Sequence, residues 1–186
     1  YGNLKFTFNK FEEALKLLNK SLVVNKKLVS AHYNISLVYQ SIGSFEKSIF
    51  HLKQIENINP EFTKADKTIS GLINYQNDEG HLKKMKDKLM NFNLNFDQKI
   101  NLYFGISKAH EDKREFKKAF EYLEIGNNLK RTHSNYSIND DIKLFTDIKK
   151  IFNNYKFGSN DQISSKQNPI FIVGMPRSGT TLVEQI

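Results

Sequence analysis

Asn9-Lys10-Phe11-Glu12-Glu13-Ala14-Leu15 and Gly43-Ser44-Phe45-Glu46-Lys47-Ser48-Ile49 fall on one another when the chain is slid along itself by 34 residues. At the same shift Gly2 meets Ser36, Leu18 meets Leu52 and Ser21 meets Ile55, so small and apolar positions recur at helical spacing on both sides of a short turn. This pattern predicts a helix-turn-helix repeat, in which one unit buries its apolar face only against the next.

The second copy is complete. Tyr33-Asn34-Ile35-Ser36-Leu37-Val38-Tyr39 is followed by Gly43-Ser44-Phe45-Glu46-Lys47-Ser48 and then by Asn59-Pro60. Ser36 and Ser48 stand where two helices cross closely, Gly43 closes the first helix, and Pro60 stops the second because it has no N–H to donate. The order of aromatic, small residue, aromatic, turn glycine, small residue and proline resembles the tetratricopeptide repeat. The first copy begins partway through its first helix. A further copy runs from Leu102-Tyr103-Phe104-Gly105 through Phe116-Lys117-Lys118-Ala119-Phe120 to Leu123-Glu124-Ile125-Gly126, with two residues inserted in its first helix or turn. Between these copies Ile69, Leu72 and Ile73, then Leu82, Met85 and Leu89, give two helical stripes interrupted by Asp78-Glu79-Gly80, read as a degenerate helix pair. In such an array tyrosines and phenylalanines are packing groups, and the surface docks partners.

Past Arg131 the composition changes. Ile138, Ile142, Phe145, Ile148 and Phe152 form one apolar stripe, and the stretch from Gly158 to Asn168 is polar and ends at Pro169. We therefore divide the chain into helical repeats at 1–131, a connecting helix and linker at 132–168, and the start of a second domain at 169–186. The fold class expected is mainly α, a tetratricopeptide-like array followed by the first strand, phosphate loop and helix of an α/β domain.

Ile170-Phe171-Ile172-Val173 is a short β-branched run of the kind found in buried parallel strands. Gly174-Met175-Pro176-Arg177-Ser178-Gly179-Thr180-Thr181 follows, with the G-x-x-x-x-G spacing of a phosphate loop, and Leu182 begins a helix. Backbone N–H groups around Ser178 to Thr181 converge on an anion, aided by the helix dipole. A nucleoside-triphosphate loop places Lys after the second glycine, whereas Thr180 stands there in this chain. The basic side chain is Arg177, inside the loop, placed to meet a phosphate and its immediate neighbour.

The sequence Pro176-Arg177-Ser178-Gly179-Thr180-Thr181 resembles the 5′-phosphosulfate loop of sulfotransferases, closest to the tyrosylprotein and bacterial repeat-fused branch. That resemblance implies a transferase that moves a sulfonate group from 3′-phosphoadenosine-5′-phosphosulfate (PAPS) to a hydroxyl or amine acceptor. It gives the 5′-phosphate to Ser178, Gly179, Thr180 and Thr181, and makes Arg177 both cofactor-binding and catalytic, against the bridging oxygen and sulfonate. Glu184 is read as a carboxylate stabilised in a first helical turn rather than as a base. No metal is expected. The rival readings are an interaction scaffold without catalysis and a P-loop kinase or NTPase. Both ends read as cut, since the chain opens at Tyr1 and the second domain stops at Ile186.

Composition bounds the rest. There is no cysteine, and the five histidines stand singly, with no pair at helical metal-ligand spacing. The net charge of +8 rests on lysines of polar helix faces such as Lys83, Lys84, Lys86 and Lys88, so nucleic acid is not an expected partner. No apolar run reaches the roughly 20 residues of a membrane span. The cysteine-free, signal-free sequence leans cytoplasmic, and the resemblance to sulfotransferases implies PAPS and an acceptor, protein or peptide, as partners, the acceptor held by the repeats.

Overall fold

The computed structural model describes residues 2–76, 79–134, 136–154 and 172–174. The described helices are α1 (Gly2–Thr7), α2 (Phe11–Val24), α3 (Val29–Ser41), α4 (Phe45–Ile58), α5 (Lys64–Ser70), α6 (Gly80–Asn91), α7 (Phe96–Asp112), α8 (Phe116–His133) and α9 (Ile138–Asn154). The chain separates into two compact units, Tyr1–Tyr136 and Ser137–Ile186. In the first unit, helices pack on their neighbours, α1 on α2, α2 on α3, α3 on α4, α6 on α7 and α7 on α8, with α5 lying against both α4 and α7. The unit is a tetratricopeptide-like array.

One turn geometry is used three times. Asn9, Gly43 and Arg114 have left-handed φ values of 56°, 74° and 59°, and each stands two residues before a helix that opens on phenylalanine, Phe11, Phe45 or Phe116. The residue after each donates its N–H five residues back, Lys10 to Lys5 at 2.9 Å, Ser44 to Tyr39 at 2.8 Å and Glu115 to His110 at 2.9 Å. This 6→1 bond satisfies a carbonyl that the helix end leaves open. The second stop is also repeated: Asn25 and Asn59 end α2 and α4, and each side chain accepts an N–H two residues on, from Lys27 at 2.9 Å and Glu61 at 3.1 Å. Asn59 thus makes the stop that Pro60 marks in sequence.

Counted back from the turn, no residues are inserted before it: α7 is longer than α3 at its N-terminal end. α7 has 17 residues where α3 has 13, while the turns at Gly43 and Arg114 are alike. Counted from the turn, Ser107 takes the place of Ser36, and its hydroxyl donates to the Ala119 carbonyl at 2.8 Å. Gly105, two residues earlier, faces elsewhere: a Cβ there would lie 2.8 Å from the Met85 sulfur and 3.3 Å from the Ser70 hydroxyl. The four extra residues add about one helical turn to α7, which packs against α8, α5 and α6.

The core is a chain of local clusters. Ala14, Leu18, Ile35 and Val38 form the first, Leu52, Ile55, Ala65 and Ile69 the second, and Tyr75, Leu82, Met85, Leu94, Leu102, Ile106 and Ala109 the third. Ile73 packs against both the second and the third. In the other unit α9 exposes its whole apolar stripe, Ile138, Ile142, Phe145, Ile148 and Phe152. No described helix is long and apolar enough to cross a membrane.

Candidate functional site

Arg177, Ser178, Gly179, Thr180 and Thr181, on which the sequence places the chemistry, lie outside the described residues, as does Glu184. Of the stretch before them, Ile172, Val173 and Gly174 are described, and among the described residues they pair with no strand. The sites that can be built from geometry are in the helical array.

α3, α5 and α7 line a groove of about 310 Å³, walled by Tyr33, Gln40, Lys64, Lys67, Thr68 and Asn101. The α5 sequence Lys64-Ala65-Asp66-Lys67 explains its charge. Ala65 and Asp66 are fully buried, which turns Lys64 and Lys67 outward. Their ammonium groups sit 5.1 Å from the ring centres of Tyr33 and Phe104, at cation–π range. Tyr33 Oη and Thr68 Oγ1 are 3.5 Å apart, and the Asn101 amide donates to Thr63 Oγ1 at 3.5 Å. No carboxylate lines this groove.

Beneath α5 lies a buried ionic cluster. Lys88 Nζ donates to both oxygens of Asp66, at 2.7 and 2.8 Å. His81 Nε2 faces Glu56 Oε1 at 3.5 Å and Asp66 Oδ1 at 3.6 Å, while its Nδ1 is 2.5 Å from the Tyr75 hydroxyl. Burial works to lower the His81 pKa, but the Asp66 and Glu56 carboxylates outweigh it and hold the imidazole above its ordinary value. Burial likewise works to raise Glu56, and the His81, Lys88 and Lys84 cations bring it below the usual carboxylate range. Glu56, Asp66 and His81 offer ligand atoms within 4.8 Å of one another, a spacing a metal ion could bridge. Lys88 already occupies Asp66, and Lys84 stands 3.7 Å from Glu56, so a dication would meet two ammonium groups. A protonated His81 balances the two carboxylates and Lys88 better. The cluster ties α4, α5 and α6 together, and removing one member strands a buried charge, a change of about 3–5 kcal/mol.

Sequence spacing gave no sign of this cluster, nor of the contact between His32 and His51, whose Nδ1 atoms are 3.0 Å apart. His32 Nε2 also pairs with the Lys26 carbonyl at 3.0 Å, and burial beside His32 lowers His51 to about 4. A larger cavity, about 580 Å³, opens between α6, α7 and α8. His110 reaches it, with Nδ1 2.7 Å from Glu115 and Nε2 buried without a hydrogen-bond partner. Burial lowers His110, with Lys86 adding to that and Glu115 opposing it. Lysines and carboxylates alternate around this cavity, and the Lys113–Glu79 and Lys118–Glu115 pairs cancel much of its charge.

Known proteins match the chain in pieces. Residues 29–62 match a tetratricopeptide repeat and residues 169–186 match the sulfotransferase family. An uncharacterized protein of Aquifex aeolicus (strain VF5) is 29% identical over 189 residues, which cover 96% of this chain and 23% of that protein. The chain therefore spans about a quarter of the curated relative it matches. Among solved structures, the MamA RS-1 ArsTM double mutant superposes with a TM-score of 0.54 at 16% identity, over 73% of this chain and 74% of that one. A crystal structure of MamA gives 0.43 at 17% identity, over 73% and 98%. The first of these likenesses is one of fold, and it agrees with the helical array.

Proposed function

We propose that the protein containing this chain is a sulfotransferase that takes the sulfonate of PAPS and passes it to a hydroxyl or amine acceptor docked on the helical array. The observation that carries this reading is the loop Gly174 to Thr181, with Arg177 inside it and Thr180 in place of the nucleotide-binding lysine, in a stretch that matches the sulfotransferase family. In the transfer, the acceptor oxygen or nitrogen bonds to sulfur as the bond from sulfur to the bridging phosphate oxygen breaks. The acceptor proton leaves to a base, and 3′-phosphoadenosine-5′-phosphate departs with the charge. Arg177 neutralises charge growing on the bridging oxygen, and the N–H groups of Ser178 to Thr181 hold the 5′-phosphate.

The experiment is transfer of labelled sulfonate from PAPS by the full-length protein. Arg177→Ala is expected to lower kcat/KM by about 100-fold or more, the usual loss when one donor to a developing oxyanion is removed. Undiminished transfer in that variant would overturn the role of Arg177, and hydrolysis of ATP in place of transfer would favour an NTPase. The helical array supports a second reading, partner binding without chemistry, and partner capture by a full-length protein that transfers no sulfonate would select it.

A further inference from the structure

We propose that the cavity between α6, α7 and α8 binds an acidic amino acid, with Lys83 and Lys86 holding its carboxylates and His110 and Asp87 accepting from its ammonium group. None of the residues around this cavity lines the groove at Tyr33, Lys64 and Lys67, and binding there is independent of the chemistry proposed for Arg177. The most buried side chain around the cavity is His110, 3% exposed. Glu115 Oε2 lies 2.7 Å from its Nδ1, and an ionised carboxylate can only accept, so the ring proton sits on Nδ1. Burial holds the imidazole pKa below its ordinary value against the pull of Glu115, with Lys86 and Lys118 adding to the effect. Nε2 is therefore an uncharged acceptor, buried and without a hydrogen-bond partner among the described residues. What it lacks is a donor. Counted from the turn, His110 stands where Tyr39 stands in the second copy, and each stacks on a ring of the following helix, Tyr122 or His51. Tyrosine serves that packing equally well; histidine adds the acceptor.

The charges around the cavity divide into spent and free. Lys113 is paired with Glu79, and Lys118 with Glu115 at 3.0 Å. Lys83, Lys86 and Asp87 form no ion pair among the described residues, and with Met90 they share one face of α6 at helical spacing. Two free cations and one free anion, beside an unmet acceptor, complement a molecule with two carboxylates and one ammonium group. Leu82 and Met90 offer apolar surface to the methylene groups that join them. The volume of about 580 Å³ leaves room for several waters beside such a molecule, at about 30 Å³ each. Other ligands fit less well. A nucleotide would ask for an aromatic face to stack on, and no phenylalanine or tyrosine is among the described residues that line the cavity. Inorganic phosphate would meet the carboxylates of Glu79, Asp87 and Glu115. A metal ion would need further ligands beside Nε2, and no described group of three histidine or carboxylate side chains spaced to hold one includes His110.

The probes are L-glutamate and L-aspartate, titrated by calorimetry into the full-length protein beside glutarate, which lacks the ammonium group, and inorganic phosphate. At least one of the two amino acids is expected to bind saturably, with glutarate and phosphate weaker by about 10-fold or more. The Lys83→Ala, Lys86→Ala double variant is expected to lose about 10-fold or more in affinity, while Lys16→Ala, Lys20→Ala on α2 leaves it unchanged. Asp87→Asn is expected to weaken the amino acid and strengthen glutarate, a crossing of preference that general damage to the cavity does not produce. His110→Phe keeps a ring against Tyr122 and removes the acceptor, and it is expected to bring the amino acid down to the level of glutarate. Melting curves that match the unmodified protein establish that each variant is folded, and the comparison of glutamate with glutarate needs no variant at all. Absence of saturable binding by both amino acids, equal binding of glutarate, preference for phosphate, or undiminished binding by the Lys83/Lys86 variant would overturn the assignment.

Discussion

His51 and His81 are pulled in opposite directions by their surroundings, and the signs can be worked through. His51 is lowered to about 4 from the ordinary 6.5, because burial disfavours its charge and His32 stands against it. One proton suffices for the Nδ1 to Nδ1 hydrogen bond, and a second between these atoms would set two N–H donors face to face. The folded state therefore takes up fewer protons than the unfolded chain, and stability is lost as pH falls from 6.5 toward 4. His81 is raised by Asp66 and Glu56 against the pull of burial, so its contribution is complete below the ordinary 6.5 and is lost as pH rises through its folded value. Thermal melting across pH is expected to pass through a maximum. His51→Gln flattens the acid side, and His81→Gln removes the alkaline loss while lowering the maximum. A melting temperature that changes identically with pH in all three proteins would show that these histidines do not set the profile.

At the level of the helix and its turn, the three left-handed positions invite a direct test. Gly43 adopts its φ of 74° without steric cost, whereas Arg114 holds 59° with a side chain attached. Arg114→Gly is expected to stabilise the array by about 0.5–1 kcal/mol, read as a higher denaturation midpoint, and Gly43→Ala to destabilise it by a similar amount. If Arg114→Gly lowers the midpoint, a contact of the arginine side chain outweighs the backbone term. The same turn explains how much of the fold was legible. α1 to α4 could be read from sequence because a left-handed residue, a spacer and phenylalanine recur with the small residues Ala14 and Ser48 at fixed distance behind them. α7 and α8 share that frame, but the longer helix made Gly105 look like the partner of Ser36 when Ser107 fills the place. α5 and α6 were faint because charge holds them as much as apolar contact. Asp66, His81 and Lys88 are separated by turns and loops, with no spacing that a helical period would single out. The stretch from Gly174 to Thr181, read from sequence as a phosphate loop, is the reverse case, plain as a pattern of residues but mostly beyond the described part of the structure.

At the scale of the whole array, the consequence of building a core from neighbouring clusters is that damage should stay local. Each cluster is made by adjacent helices, and among the described residues Ile73 alone is shared by the second and third. Leu18 is 7% exposed and belongs to the first cluster, between α2 and α3, where Gly2 of α1 also approaches it. Truncating a buried leucine to alanine costs about 2–5 kcal/mol. In a rigid globule that loss would be felt everywhere. In an array stabilised by nearest neighbours, it is expected to speed amide exchange in α1, α2 and α3 by about 30-fold or more, to weaken α4 less, and to leave α7 and α8 unchanged. Hydrogen exchange on the Leu18→Ala protein, resolved by segment, measures this gradient. Equal loss of protection in α2 and α7 would mean that the array opens as one unit, and the repeat-by-repeat account of its stability would have to be given up.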